Sequence, residues 1–486
     1  MSRRLTRRQA LGASAASLGY MYTAPAFAAE KIAGANGKLY FAGIGVGGKG
    51  SSDIENAADC AQMFGGEVVA ICDIDESRLN SKANQDGIYY NRGKPTKYAG
   101  MRLFAKAQKF SDYRKIFDDA GLLKSIDAFT VSTPDHNHAQ ASLLAIRNKK
   151  HVYCQKPLTH DVYEAFLMRH EAKKYGVCTQ MGNQGTAANG LRKAVEMVQA
   201  GEIGQVREVH VWTNRPIWPQ APGVTDKKPP KEAKAPKNVN WDAFLGPAPE
   251  RHYAAGIHPF AWRGFWDYGT GAIGDMACHT ANMAFMALKL AHPIHLAAEA
   301  GDVNPLTCPS YAHVVMQFPS RGDLPPVTLH WYEGKKDGKK MLPSEELVEK
   351  AKALNNGKLV DSGSILVGEK EIAYSPDDYG ARVFFSTGKN ASGKLEKLPS
   401  NNGDDLGQKK EWVEAIKAGK PELALSNFSY AGLLTSAFLL GNVAIRTGKP
   451  FNWDGEACKA DIPEAAKFVR REYRKGWDLI GYNASV

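Results

Sequence analysis

Nothing in this 486-residue chain suggests a membrane-spanning or disulfide-stapled protein. The most apolar internal stretch, "AGLLTSAFLLGNVAI" at 431–445, is shorter than 18 residues and carries Gly, Thr, Ser and Asn, which predicts a buried helix rather than a bilayer span. Only seven cysteines occur, Cys60, Cys72, Cys154, Cys178, Cys278, Cys308 and Cys458. They are odd in number and scattered, without a Cys-x-x-Cys pair, which argues against a zinc site and a disulfide framework. No repeat at solenoid periods is present. The formal charge is +11. Much of that excess sits in "TDKKPPKEAKAPKNVN" (225–240), a Lys/Pro/Ala stretch with no apolar period and no interleaved aromatics, so it predicts a solvated loop and no nucleic-acid surface.

The first residues are set apart from the fold. "MSRRLTRRQALGASAASLGYMYTAPAFAAE" places paired arginines before a weakly apolar stretch and a small-residue Ala26-Phe27-Ala28 pattern. Thr6-Arg7-Arg8-Gln9-Ala10-Leu11 resembles a twin-arginine export motif, so residues 1–28 are expected to be a signal peptide and the destination the periplasm. Without them the charge falls to +7, 58 basic against 51 acidic residues. Cysteines kept as small core residues agree with folding in a reducing cytoplasm before export.

From residue 38 onward short apolar runs alternate with helical stretches: "KLYFAGI", "SSDIENAADCAQMF", "EVVAICD", "DAFTVST", "AQASLLAIRN", "HVYC". That order predicts a parallel sheet flanked by helices. Beyond residue 158 a further helix–strand pair leads into alternating runs such as "VREVHVWTN", "YAHVVMQF", "PVTLHWYEG" and "GSILVGEKEIAY", the period of an antiparallel sheet with one buried face. The expected organisation is a dinucleotide-type α/β domain over 37–158 and an α+β domain over 159–486.

"GIGVGGKGSSD" after the first strand holds Gly-x-Gly-x-x-Gly in two frames, Gly43/Gly45/Gly48 and Gly45/Gly47/Gly50. The second starts where the strand ends: Gly45 makes the turn, Gly47 lets the backbone approach a pyrophosphate, and Gly50 lets the helix pack on the strand. "VVAICD" then delivers Asp73, 23 residues past Gly50, to accept from the adenosine ribose hydroxyls and repel a 2′-phosphate. The expected cofactor is NAD, with nearby Arg78 leaving NADP open. Thr133-Pro134 ends the fourth strand at the ligand crevice, and the His136-Asn137-His138 triplet predicts capping or cofactor-side packing rather than a metal site.

"HVYCQKPLTH" (151–160) ends the fifth strand on Gln155-Lys156-Pro157, so Lys156 emerges at the same crevice. A lysine there can hold the alkoxide that develops as hydride leaves and relay a proton. "WDYGTGAIGDMACHTAN" (266–282) places Asp275 and His279 four apart on one helix face, where an imidazole can take a hydroxyl proton and a carboxylate can stabilise the imidazolium. Trp212, Trp218, Trp262 and Trp266 lie near this motif. Aromatic faces suit sugar rings, with core packing the commoner role.

In this order the motifs resemble the glucose–fructose oxidoreductase/inositol dehydrogenase/MocA family. The resemblance implies a Rossmann domain followed by a C-terminal domain with a large open-faced, mostly antiparallel sheet, a nicotinamide cofactor at their junction, and a sugar or cyclitol oxidised at a ring hydroxyl. It implies pairing of subunits through the open sheet face. Lys156 matches the lysine of the family's Glu-Lys-Pro, and Asp275 and His279 match its carboxylate and imidazole. Gly45, Gly47, Gly48, Gly50, Asp73, Thr133, Pro134, His138, Gln155 and Lys156 are the expected cofactor contacts. Gln155 departs from the family's glutamate. Three readings stay open: a sugar oxidoreductase with a tightly held cofactor, a redox-neutral NAD-dependent glycoside hydrolase that oxidises transiently and eliminates, and a nonenzymatic dinucleotide- or sugar-binding protein.

Overall fold

A computed structural model describes residues 37–83, 106–216, 229–403 and 405–484, together with Phe104 and the short strands at 90–91 and 94–95. The expected export signal and Trp218 lie outside the described residues.

The N-terminal lobe has the parallel order that the alternation predicts, and its sheet runs on past residue 158 to Met181. Strand β1 (Tyr40–Ile44) leads through the glycine loop into helix α1 (Lys49–Met63), then β2 (Glu67–Cys72), α2 (Glu76–Ala83) and β3 (Gln108–Phe110). After β4 (Ala128–Val131) come α3 (His138–Arg147), β5 (His151–Cys154), α4 (Val162–Tyr175) and β6 (Thr179–Met181). Strand order is β3-β2-β1-β4-β5-β6, every pair parallel. This is the doubly wound nucleotide-binding arrangement, whose order reverses beside β1 and so opens a crevice at the carboxyl ends of β1 and β4. Central β4 and β5 are buried at every residue, as continuous apolar runs covered on both faces must be. Helix α4 opens on a reciprocal capping box between Asp161 and Glu164 and stops at Gly176 in the left-handed conformation.

The second lobe is a mixed, mostly antiparallel sheet. It comprises β7 (Val206–Trp212), β8 (His295–Gly301), β9 (Tyr311–Phe318), β10 (Val327–Lys336), β11 (Gly363–Gly368), β12 (Ile372–Ser375), β13 (Phe384–Phe385), β14 (Phe451–Asp454) and β15 (Lys459–Ala460). The order β13-β12-β11-β7-β10-β9-β8-β14-β15 contains one parallel pairing, β7 with β10. The run "GSILVGEKEIAY" folds as a hairpin of β11 and β12, because Gly368 turns the chain and donates to the Glu371 carbonyl at 3.0 Å.

Four helices matter to the site: α5 (Asn189–Gln199), α6 (Gly271–Thr280), α7 (Asp405–Ala418) and α8 (Phe428–Thr447). One face of the second sheet, carrying Ala312, Val314, Met316, Leu329 and Trp331, is sealed by α6 and α8. Helix α8 is the one described helix long and apolar enough to cross a membrane, and it is mostly buried between the lobes. Helix α7 crosses back to the N-terminal lobe: Trp412 packs edge-on against Phe41 of β1, within one apolar cluster that includes Ile54, Ala57 and Val413. The end of the basic loop is anchored rather than free, since Asn238 O accepts from Glu76 N at 2.8 Å and Asn240 N donates to Ile74 O at 2.8 Å.

Candidate active site

The glycine loop has the shape its spacing predicts. Gly45 adopts φ +80°, and a side chain there would drive its Cβ to 2.6 Å from Ser132 O. A Cβ on Gly50 would sit 2.0 Å from Gly45 O, so only glycine lets α1 approach the strand end. Gly48, at φ +54°, begins α1 with no side-chain cap and no acidic residue in the first turn, leaving the positive dipole end of the helix open to a pyrophosphate. Asp73 stands at the carboxyl end of β2. Its Oδ2 accepts from Val46 N (3.0 Å) and Gly47 N (2.9 Å), so it braces the loop, and its Oδ1, bonded to Asp75 N alone, keeps capacity for a ribose hydroxyl. Burial pushes the Asp73 carboxyl up, against the hydrogen bonds and Arg78. Arg78 lies over Gly47 and within 3.7 Å of Asp75. These residues fit the adenosine and pyrophosphate end of a dinucleotide.

At the other side of the crevice Thr133 Oγ1 is buried without a hydrogen-bond partner. His138 ties the Thr133-Pro134 turn to the Lys156–Pro157 turn: its Nε2 lies 2.8 Å from Thr133 O and its Nδ1 2.7 Å from Pro157 O. A neutral imidazole donates to only one of them, and burial lowers the His138 pKa. His136 likewise lies between the Tyr268 and Phe244 carbonyls, and no cluster of metal ligands forms among the described residues.

The three side chains singled out for proton chemistry converge. Lys156 Nζ donates to Asp275 Oδ1 at 2.6 Å and to the Asp275 carbonyl at 3.1 Å, with the two side chains 16% and 7% exposed. His279, one turn along α6, is buried, makes no side-chain hydrogen bond and stands edge-on to the ring of Tyr379 at 5.0 Å. Burial, then the neighbouring Lys156 cation, holds its pKa well below the usual imidazole range. Burial alone would raise the Asp275 carboxyl, but Arg263 and Lys156 outweigh it and hold it well below the carboxylate range.

Four participants escape sequence reasoning. Arg263 Nη1 bridges Asp135 (3.0 and 3.1 Å) and Asp275 (3.3 Å), while Arg215 Nε lies 3.9 Å from Asp275. Asp135 is buried and also accepts from Thr270 Oγ1 at 2.7 Å, so it pins the start of α6 to the N-terminal lobe. Tyr379 covers His279 from the loop after β12. The sequence signals are slight: an acid directly after the Thr-Pro turn, and an arginine shortly before "WDYGTG". Of the tryptophans, Trp212 is wholly buried and donates to Val360 O, and Trp266 donates to Asn304 O, both core roles; Trp262 carries the Arg263 guanidinium over its ring at 4.3 Å.

Two family models cover more than half of the chain: an oxidoreductase family, NAD-binding Rossmann fold, at 39–183, and an oxidoreductase family C-terminal alpha/beta domain at 191–322. The chain belongs to the Gfo/Idh/MocA oxidoreductase family. Inositol 2-dehydrogenase of Salmonella typhimurium is 26% identical over 168 residues, 34% of this chain and 43% of the relative. 2,7-Anhydro-N-acetylneuraminate hydratase of Escherichia coli is 30% identical over 96 residues, 19% of this chain and 26% of the relative. This chain spans less than half the length of these curated relatives. Among solved structures, an inositol dehydrogenase homologue from Azotobacter vinelandii complexed with NADH and myo-inositol shares the fold at TM-score 0.55 and 16% identity, over 86% of this chain and 98% of that one. Lys156 lies within the NAD-binding model and Asp275 and His279 within the C-terminal one, so the three meet where the two domains join.

Proposed function

We propose that the protein is an NAD-dependent oxidoreductase acting on a ring hydroxyl of a sugar or cyclitol, with Lys156, Asp275 and His279 as its proton relay. The observation that carries this is the 2.6 Å contact between Lys156 and Asp275, formed across 119 residues of sequence at the mouth of the dinucleotide crevice, with a neutral, unbonded imidazole one turn away. A bound nicotinamide supplies the hydride acceptor. His279 takes the hydroxyl proton, Lys156 holds the oxygen as charge grows on it, and Asp275 orients Lys156 and offsets the imidazolium. Arg263 fixes Asp275, so the relay is set before substrate arrives.

A second reading shares the same first step: oxidation is transient, elimination follows, and the hydride returns. The hydratase among the relatives favours it, since adding water makes no net change in redox state. Export through the twin-arginine pathway would favour such a closed cycle too, because free dinucleotide is scarce outside the cytoplasm. Pairing of subunits through the outer face of the second sheet belongs to the same proposal, and sedimentation of Val315→Arg against the parent protein tests it.

Purified protein is assayed for bound dinucleotide, then offered free sugars, cyclitols and aryl glycosides in turn. The expected result is a change in nicotinamide absorbance with a free sugar or cyclitol. Glycoside cleavage with no added NAD selects the redox-neutral cycle instead. Lys156→Ala and His279→Ala are each expected to lower turnover by about 100-fold or more while cofactor stays bound; turnover that survives both would remove these residues from the relay, and a parent that binds dinucleotide but turns over none of these compounds would be a binding protein.

A further inference from the structure

The family's glutamate before the lysine is absent here, yet the space beside residue 155 is not without a carboxylate. Asp53, in the second turn of α1 and fully buried, receives Gln155 Nε2 at 2.8 Å and Ser132 Oγ at 2.9 Å. Its Oδ1 receives Lys409 Nζ at 2.6 Å and Lys49 Nζ at 3.0 Å. Lys409 is also fully buried and comes from α7, more than 350 residues along the chain; Tyr153 OH accepts from it at 3.0 Å and the Tyr153 ring lies beneath it at 4.2 Å. Lys49 has a second anion in Asp405, at the start of the same helix. The Gln155 amide is thus fixed with its NH2 toward Asp53 and its Oε1 toward Lys156 N at 3.3 Å.

Resting on the dinucleotide reading above, we propose that Asp53 and Lys409 are positioning residues for the nicotinamide end of the cofactor, supplying through Gln155 the carboxylate that residue 155 lacks, with Lys409 its built-in counter-charge. Two facts support a purpose beyond packing. A buried ion pair recovers little more than its desolvation cost, so an apolar pair of similar volume would stabilise the fold as well or better. The pair also lies one hydrogen bond from the strand-end turn that carries Lys156, at the carboxyl edge where ligands bind. A glutamate at 155 would face Asp53 across the same 2.8 Å, and like charges at that distance cannot both stay ionised.

Because the nicotinamide ring is cationic in NAD+ and neutral in NADH, a charge placed beside it changes the ratio of the two dissociation constants, whereas a purely structural lesion weakens both together. Both constants are measured by fluorescence and calorimetric titration of the purified protein, with thermal unfolding to monitor the fold. Asp53→Asn removes a negative charge and is expected to shift binding toward NADH by about tenfold, whereas Gln155→Glu, whose carboxyl shares a proton with Asp53, leaves the ratio within about threefold of the parent. The double variant Asp53→Asn/Gln155→Glu restores the charge one hydrogen bond away and returns the ratio to within about threefold of the parent. Should Asp53→Asn alone leave Lys409 stranded and the protein unfolded, Lys409→Met, which shifts toward NAD+, and Asp53→Asn/Lys409→Met, which returns, close the same cycle. An Asp53→Asn ratio that does not move, Asp53→Asn and Lys409→Met ratios that move the same way, or doubles that fail to return overturn the inference. A parent protein that binds neither NAD+ nor NADH would instead defeat the cofactor reading itself.

Discussion

At the scale of single residues, the site is governed by which charges are allowed to stay buried. Arg263 is the clearest case, because it spans two buried carboxylates, Asp135 and Asp275. Replacing it with methionine takes the ion-pair partner from Asp135 and leaves Asp275 to Lys156, and the expected cost is about 3–5 kcal/mol in urea unfolding, with Arg263→Lys recovering part of it. His279 gives a second expectation. Its pKa lies well below the usual imidazole value through burial and then Lys156, so removing that cation raises it. In Lys156→Met the His279 ring protons therefore titrate at higher pH by NMR than in the parent; a shift in the other direction would mean that Lys156 does not act on the imidazole. Lys156, Asp275 and His279 are legible in sequence because each sits on a local pattern, a strand end or an i,i+4 pair. Arg263 is not, since its meaning arises only when the fold brings together Asp135 and Asp275, which lie in different lobes.

At the scale of elements, two glycines of one loop separate fold from function. Gly50 meets backbone, since a Cβ placed there falls 2.0 Å from Gly45 O, whereas the nearest atom to a Cβ on Gly47 belongs to the flexible Arg78 side chain. Gly50→Ala is expected to destabilise by about 2 kcal/mol or more, because helix and strand must part. Gly47→Ala is expected to melt within a few degrees of the parent and yet bind NAD at least about tenfold more weakly, since the added methyl stands where the pyrophosphate approaches. Equal melting losses in both would contradict the assignment of the loop. The parallel sheet, the glycine loop and the buried α8 are readable from period and composition. The return of α7 to the first lobe is not, although it leaves a trace: Asp53 and Lys409 each interrupt an apolar stripe, Gly50/Ile54/Ala57/Ala61 and Leu406/Val413/Ile416. Charges at core positions of two helices imply that each answers the other, which periodicity cannot pair.

At the scale of the whole molecule, burial has left an unusual number of histidines reluctant to charge. Burial lowers His136 to about 3 and His151, His210, His292 and His330 to about 4. An unfolded chain takes up those protons near pH 6.5 while the folded one refuses them, so stability is lost as pH falls from about 6.5 toward 4. Buried carboxyls oppose this: burial raises Glu333 to about 7 and Asp161 to about 8 and pushes Asp73 up as well, so each favours the folded state as pH falls through its raised value. The histidines outnumber them, and the melting temperature is expected to peak near neutrality and to fall steeply between about pH 6 and 4, by roughly 5 kcal/mol in stability once partial exposure is allowed for. Part of that fall belongs to the outer face of the second sheet, where His210, His313 and His330 stack at centroid separations of 4.9 and 5.4 Å beside Tyr332, with Glu208 3.0 Å from His210 and Glu299 nearby as the facing anions. Charging one ring opposes charging the next. The double variant His313→Asn/His330→Asn is therefore expected to keep its neutral-pH stability and lose part of the acid decline; a melting profile that stays superimposable on the parent's from about pH 7 to pH 4 would remove the stacked imidazoles from the account.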